Sequence, residues 1–532
     1  MFKLIKFVFL PLLVVGFFIA CEQTKLPEKE KQSLIEETIE KKEKVSIVEK
    51  KIEIIEVEKK IETLAKERSQ KIISPKKDAI EVEKKIASNL PKTVEIVKEI
   101  KSYPQMELVK TSSVATKKNI NDFDFDIIKK GYKDDNTLLI VGGIQGDEPG
   151  GFMAAALIAT HYDITKGSVW VVPNLNFYSI IKRSRGPYGD MNRKFANLSK
   201  NDPEYKAVER IKSYISDDQV KLIVNLHDGS GFYRPTYEDK LHSPYKWGQC
   251  SIIDQENLKI EKYSNLAKIS NEVVAHVNKS LITDEHIYHL HNTRTVEGDK
   301  EMEKTLTYYA INQGKSAFGN EASKSLPTHQ RVYYHLLALE KYMDIMGIEY
   351  KRKFNLNHQV VKNILDNDIA VSLYEDKINL PLAKIRNLLK YFPVKKDGTI
   401  DFKPSNPLVS IVKKENVYTI YYGNRRLARL NAKYIDHENT KENVKLNIDS
   451  TDKEIKYGSI VKVKKDFMVY PIKDYKVNVV GYTDKKKKDT NVLINYEKML
   501  KRFSIDKKGS TYRVEFYTKN KFAGMILVEF AG

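Results

Sequence analysis

Gly142-Gly143-Ile144-Gln145-Gly146-Asp147-Glu148-Pro149-Gly150 is the stretch on which the fold turns. An apolar run, Leu138–Ile144, leads into it, and a segment of helix composition, Pro149–Tyr162, follows. A strand buried on both faces reads as such a continuous apolar run. Proline in the first helical turn costs nothing, because that N–H has no intrahelical partner. The stretch therefore predicts strand, glycine-rich turn, helix. Val169–Asn176 and Val220–Leu226 read as further strands. Glu204–Ile215 reads as a helix, with Asp202 as N-cap and Pro203 in its first turn. Helical segments follow near 264–278 and 328–346. Apolar strands interleaved with helices predict an α/β domain with a mostly parallel sheet, where ligands sit beyond the carboxyl ends of strands.

Gln145 and Glu148 stand three residues apart at a strand–helix junction, so both can reach one metal ion. The strand Val220–Leu226 runs into Asn225-Leu226-His227-Asp228-Gly229-Ser230, which brings His227 to the same sheet edge. Three protein ligands plus water describe an open, catalytic zinc site.

The first segment resembles the M14 metallocarboxypeptidase signature GGxHGDEPxG, including its succinylglutamate desuccinylase and aspartoacylase branch. Asp190-Met191-Asn192-Arg193-Lys194-Phe195 is similar to that family's DLNRxF, and Asn225–Asp228 to its second metal segment. Phe318-Gly319-Asn320-Glu321 resembles the segment with the catalytic glutamate. All four lie in the family's order across residues 116–350. The resemblance implies a carboxypeptidase-like mixed sheet flanked by helices. It implies one Zn2+ per chain, held by Glu148, His227 and Gln145, the last standing where the family has a histidine. Asn192 and Arg193 would grip a terminal carboxylate, a task that suits the planar guanidinium fork. Arg185 would stabilise the oxyanion, with Arg183 as competitor. Glu321 would be general base and acid, and Ser230 would line the pocket or satisfy the turn.

Glutamine and neutral histidine carry the same formal charge, but an amide oxygen is the weaker, harder ligand. Weaker metal binding is expected, without loss of water activation. Within the family the chain resembles the peptidoglycan D,L-carboxypeptidases that set helical cell shape in Helicobacter and Campylobacter. They share the glutamine, the HDGSGFY segment (here His227–Tyr233) and two β-rich domains after the catalytic one. This implies trimming of peptidoglycan stem tripeptides to dipeptides with release of meso-diaminopimelate. A weak or inactive M14-fold lipoprotein that binds wall peptides, and a desuccinylase-like amide deacylase, are the alternatives.

The amino terminus bears on location. Lys3 and Lys6 precede an apolar run, Phe7–Ile19, which is short for a membrane span and broken by Pro11. Phe18-Ile19-Ala20-Cys21 looks like a lipobox, so residues 1–20 read as a lipoprotein signal peptide and Cys21 as the lipidated residue. An uncleaved anchor helix is the alternative. Either way the chain faces outward, as a periplasm-facing envelope protein. Glu22 after Cys21 favours the outer over the inner membrane. With Cys21 lipidated, Cys250 has no partner for a disulfide and reads as a small buried residue. Residues 21–115 are a Lys/Glu-rich tether in which EVEKKI occurs at 56–61 and again at 81–86. Its apolar spacing is helical only in short pieces, so it reads as partly helical and solvated, or as a short coiled coil. The net charge of +20 comes from lysines spread among glutamates, which argues against nucleic acid. Attraction to an anionic envelope or simple solubility remain open.

Beyond residue 350 the texture turns to short strands and hairpins, such as Val417–Tyr422, Gly423-Asn424, Arg425–Leu430. Two β-rich domains, 351–445 and 446–532, are expected, divided within the polar stretch His437–Glu454. His289 and His291 read as surface histidines of a loop, and Trp247 as core.

Overall fold

A computed structural model describes residues 124–438, 443–483 and 488–531. The expected signal peptide, Cys21 and the charged tether lie outside the described residues.

The apolar runs assemble a seven-stranded mixed sheet. Its strands are β1 (Ile128–Gly131), β2 (Thr137–Val141), β3 (Ser168–Val172), β4 (Val220–Gly229), β5 (Cys250–Ile253), β6 (His289–Asn292) and β7 (Ser316–Ser323). Their spatial order is β1-β3-β2-β4-β7-β5-β6. The four middle strands β3, β2, β4 and β7 run parallel. Every residue of β2, β3 and β7 is buried, as expected of strands covered on both faces. Six helices accompany the sheet: α1 (Pro149–His161), α2 (Phe177–Lys182), α3 (Tyr205–Ile215), α4 (Leu266–Val277), α5 (Leu306–Asn312) and α6 (Thr328–Ile345). Helix α1 is apolar and buried along its first nine positions after Pro149, the mark of a helix enclosed in a core.

Local differences from the sequence reading have physical causes. Glu204 holds the N-cap place of α3 without capping it, because its carboxylate is buried against Lys194 and Asn176. Asp202 instead accepts from the Glu204 N–H, two residues further on and ahead of the helix. The segment with His289 and His291 is strand β6, not a loop, paired in parallel with β5.

The expected mixed sheet followed by β-rich domains is observed. After the catalytic sheet come a helix, His358–Asn367, that the sequence reading missed, then a three-stranded and a four-stranded sheet. The last segment packs two four-stranded sheets around its own core, including Phe467, Val514, Phe516 and Val528. The expected boundary at 445/446 falls inside a strand, Asn443–Ile448, which forms a hairpin with Thr451–Lys456. Val444, Leu446 and Ile448 point into the core while Asn443 and Lys445 face water. Such a half-buried strand looks polar when its two faces are averaged. No core boundary falls at residue 350. One apolar core runs from the catalytic sheet through Val371, Phe392, Ile420 and Tyr422.

Candidate active site

Strands β2, β4 and β7 are neighbours, and their carboxyl ends deliver the site. The β2–α1 turn carries Gln145 and Glu148, β4 carries His227, and β7 carries Glu321 in register with His227. The His227 Nδ1 atom lies 3.1 Å from Gln145 Oε1 and 3.0 Å from Glu148 Oε2. All three side chains are buried. Ligands bound about 2.1 Å from one tetrahedral ion stand about 3.4 Å apart, so the three donors converge closely enough to share one. Among the described residues no group of three or more His, Cys, Asp or Glu side chains could hold a metal. The set reaches three only through the Gln145 amide oxygen.

Surrounding residues aim these donors. Gln145 Nε2 donates to Asp190 Oδ1 at 2.7 Å, which turns the amide oxygen toward His227. Glu148 holds the N-cap place of α1 but makes no cap bond. The orphan Gly150 N–H is satisfied instead by Asp228 Oδ2 at 2.8 Å. Glu148 is thereby free to face the other donors. Asp228 is fully buried, with Arg331 at 2.8 Å and His335 at 3.3 Å. Burial pushes the Asp228 carboxyl up, but His335, Arg331 and the Gly150 N–H outweigh it and hold it below the ordinary value. Losing one partner of such a buried pair costs about 3–5 kcal/mol.

Glu321 behaves oppositely. Its Oε2 finds no hydrogen-bond partner among the described residues. Burial, then the negative charges of Glu148 and Asp228, push its carboxyl well above the ordinary value. An open, proton-avid carboxyl facing a cavity is the arrangement of a general base and acid. That cavity, of ≈ 260 Å³, is lined by Glu148, Arg185, Asn192, Arg193, His227, Ser230 and Glu321 among others. A larger one, of ≈ 380 Å³, lies by Lys462 and Tyr496 in the last domain. It lacks buried convergent donors, so the smaller one carries the chemistry.

Arg185 reaches Glu148 Oε1 at 3.2 Å and Asp190 Oδ2 at 3.0 Å. Arg183 does not compete for that place: its Nε donates to the Asn424 carbonyl at 2.6 Å. Asn192 is fixed by the Leu306 N–H at 3.0 Å, and Arg193 by its bond to the Asn192 carbonyl. Arg193 lines the cavity, and its other two guanidinium nitrogens make only long contacts, to Met302 Sδ and to Glu301, each at 3.9 Å. Ser230 is exposed at the cavity rim.

Three features escaped the sequence reading. Lys324, three residues past Glu321, pairs with Asp147 at 2.8 Å and Glu148 at 3.2 Å. Trp247 is a half-buried cavity wall, not core. His291 is no stray surface group: it stacks on Tyr233 at 4.1 Å and touches Trp247, and burial pushes its pKa down to about 4. The aromatic run in HDGSGFY was the available signal for this wall.

A profile described as carboxypeptidase controlling helical cell shape, catalytic, matches residues 111–366. A second, C-terminal domain of metallo-carboxypeptidase, matches 437–531. The crystal structure of the apo cell shape determinant Csd4 from Helicobacter pylori is 41% identical, with a TM-score of 0.70, covering 77% of this chain and 100% of that one. The chain belongs to this family of cell-shape metallocarboxypeptidases. A glutamine-to-histidine variant of Csd4 matches at 42% identity and TM-score 0.69 over 76% of this chain and 100% of that one. The mDAP-bound form, described as a D,L-carboxypeptidase, matches at 42% and 0.69 over 74% of this chain and 96% of that one. A comparison with curated protein sequences gave no match. Membership makes the chain a metallocarboxypeptidase and agrees with the resemblance read from the four motifs.

Proposed function

We propose that this chain is a zinc-dependent D,L-carboxypeptidase that trims peptidoglycan stem tripeptides to dipeptides, releasing meso-diaminopimelate and so modulating cell shape. The observation that carries the reading is the convergence of Gln145, Glu148 and His227 beside a buried Glu321 whose Oε2 finds no hydrogen-bond partner among the described residues. The Csd4 structures with bound tripeptide, product and mDAP supply the substrate class.

Gln145, Glu148 and His227 would hold the metal, and the donor set of one neutral imidazole, one amide oxygen and one carboxylate suits zinc. When bound, zinc supplies Lewis-acid polarisation of the scissile carbonyl and lowers the pKa of water. Glu321 takes the proton of the attacking water on its free carboxylate oxygen and delivers it to the departing amine. Arg193 and Asn192 hold the terminal carboxylate of the peptide, which restricts cleavage to the last residue. Arg185 swings from Glu148 to the developing oxyanion, a move its half-exposed side chain allows. Trp247, backed by His291 and Tyr233, presents a flat wall to the departing residue.

The same reading sets the enzyme on the outward side of the cell envelope, tethered through lipidated Cys21, with the outer membrane favoured. Digestion of purified muropeptides followed by mass spectrometry tests the activity. Tripeptide species should fall and dipeptide species rise, and a chelator should stop the conversion. Unchanged tripeptide with metal bound would overturn the proposal.

A further inference from the structure

The two-residue turn Gly423-Asn424 belongs to the second domain, yet it sits against the metal-ligand loop of the first. It joins two antiparallel strands, Val417–Tyr422 and Arg425–Ile435. Gly423 has φ 54° and is buried; a Cβ there would stand 2.7 Å from the Phe152 ring and 3.0 Å from Met153 Cε. Positive φ at the first central residue is the mark of a type II′ turn, which glycine alone adopts freely. The turn is thus pressed onto the first turns of α1, immediately after Glu148. Next to it, Asn424 Nδ2 donates to the Gly146 carbonyl at 3.4 Å, and the Asn424 carbonyl accepts from Arg183 Nε at 2.6 Å.

Gly146 lies between Gln145 and Glu148, so whatever holds its peptide unit sets the relative aim of both. Its N–H donates to Ser184 O at 2.9 Å and to Ser179 Oγ at 3.0 Å. Its own Cβ position is blocked, 2.1 Å from the Ser179 backbone. Helix α2, which Arg183 caps at its carboxyl end, therefore clamps the loop from one side. The second domain clamps it from the other. Val412 and Tyr421 of that domain pack on Phe177 and Ile181 of α2, in an apolar cluster separate from the main core.

We propose that the Gly423-Asn424 tip is a positioning element for the metal site, and that Arg183 and Asn424 are its positioning residues. They touch neither substrate nor metal. They fix the Gly146 peptide, and through it Gln145 and Glu148, which gives the second domain a part in the reaction. The inference rests on the reading that Gln145, Glu148 and His227 hold the metal.

The test is zinc affinity of the full chain, measured by competition with a chelating indicator, for wild type, Asn424→Asp, Arg183→Ala and Arg425→Ala. Asp at 424 keeps the size but faces the Gly146 carbonyl with an acceptor. Groups that orient metal ligands from behind typically contribute 10–100-fold in affinity, so Asn424→Asp and Arg183→Ala should each weaken zinc binding about tenfold. Their metal-free melting temperatures and their KM at saturating zinc should not move. Arg425→Ala, on the same turn but paired with Asp366 at 3.5 Å, should bind zinc as wild type does. Wild-type affinity in both test variants overturns the proposal. So does an equal loss in Arg425→Ala, or an affinity loss matched by a lower metal-free melting temperature. A wild-type chain that binds no zinc overturns the metal reading itself, and the inference with it.

Discussion

Glu321 and Glu515 are both buried glutamates on strands of a sheet, and they live in opposite circumstances. Glu515, in the last domain, faces Arg513 at 3.2 Å and accepts from Tyr517 Oη at 2.7 Å and Asn478 Nδ2 at 3.1 Å. Arg513 in turn donates to the Lys390 carbonyl at 3.0 Å, which ties the last domain to the middle one. Among the described residues Glu515 Oε1 lacks a hydrogen bond but has Arg513 as its ion-pair partner. Glu321 Oε2, by contrast, has no hydrogen-bond partner among them, and Glu321 feels the charges of Glu148 and Asp228 more than those of Lys324 and Arg185. Burial alone therefore says nothing about role. A buried carboxylate whose partners are supplied is part of the scaffold. One whose partners are withheld is poised to exchange a proton, and the fold bears the cost of keeping it so.

The sharpest break of this contrast is Glu321→Gln. It should lower muropeptide turnover about 10²–10⁴-fold while zinc content and peptide binding persist, as checked by metal analysis and titration with unlabelled tripeptide. Glu515→Ala should do the reverse. Stranding Arg513 should cost about 3–5 kcal/mol of stability, read as an earlier denaturant transition, with kcat of the folded fraction unchanged. A drop in kcat for that folded fraction would dissolve the distinction between the two glutamates.

A third prediction uses pH. The folded Glu321 carboxyl binds its proton more tightly than the ordinary value of 4.5. The folded state thus holds more protons than the unfolded one above that pH, and stability falls as pH rises through the folded value. Chelator-treated Glu321→Gln lacks this loss. Its melting temperature should match wild type near pH 4 and exceed it increasingly toward pH 8. A gap that does not change with pH would contradict the withheld-partner account.

The smallest expected change is Gln145→His, which replaces an amide oxygen by imidazole. Zinc should bind more tightly, on the order of tenfold or 1.4 kcal/mol, by the same competition assay. No gain would mean that Gln145 does not reach the metal.

Much of the site was legible because its parts are local. Gln145 and Glu148 are fixed by one strand–turn–helix junction and His227 by the end of an apolar strand, while Glu321 was legible through its motif. Arg185 was legible by motif, though choosing it over Arg183 needed the turn of the second domain that draws Arg183 away. The wall of Trp247, Tyr233 and His291 was only hinted at by the aromatic end of HDGSGFY, since it joins β6 to residues about 44 and 58 positions earlier. The exact boundary at 445/446 fell inside the strand Asn443–Ile448, because a two-faced strand reads as polar, although the polar stretch His437–Glu454 does begin where the last core takes over.

The sequence by itself determined which chemistry this chain can carry: Gln145, Glu148 and His227 sit at the ends of predicted strands, and the base and the carboxylate grip stand in motifs that resemble the family's. Tertiary structure alone decided how those groups are tuned. Asp228 satisfies the Gly150 N–H from 78 residues away and so relieves Glu148 of capping, and Asn424 reaches Gly146 across 278. Such contacts depend on how separate elements pack, and packing is set by shape complementarity over the whole core, which no local pattern of residues encodes.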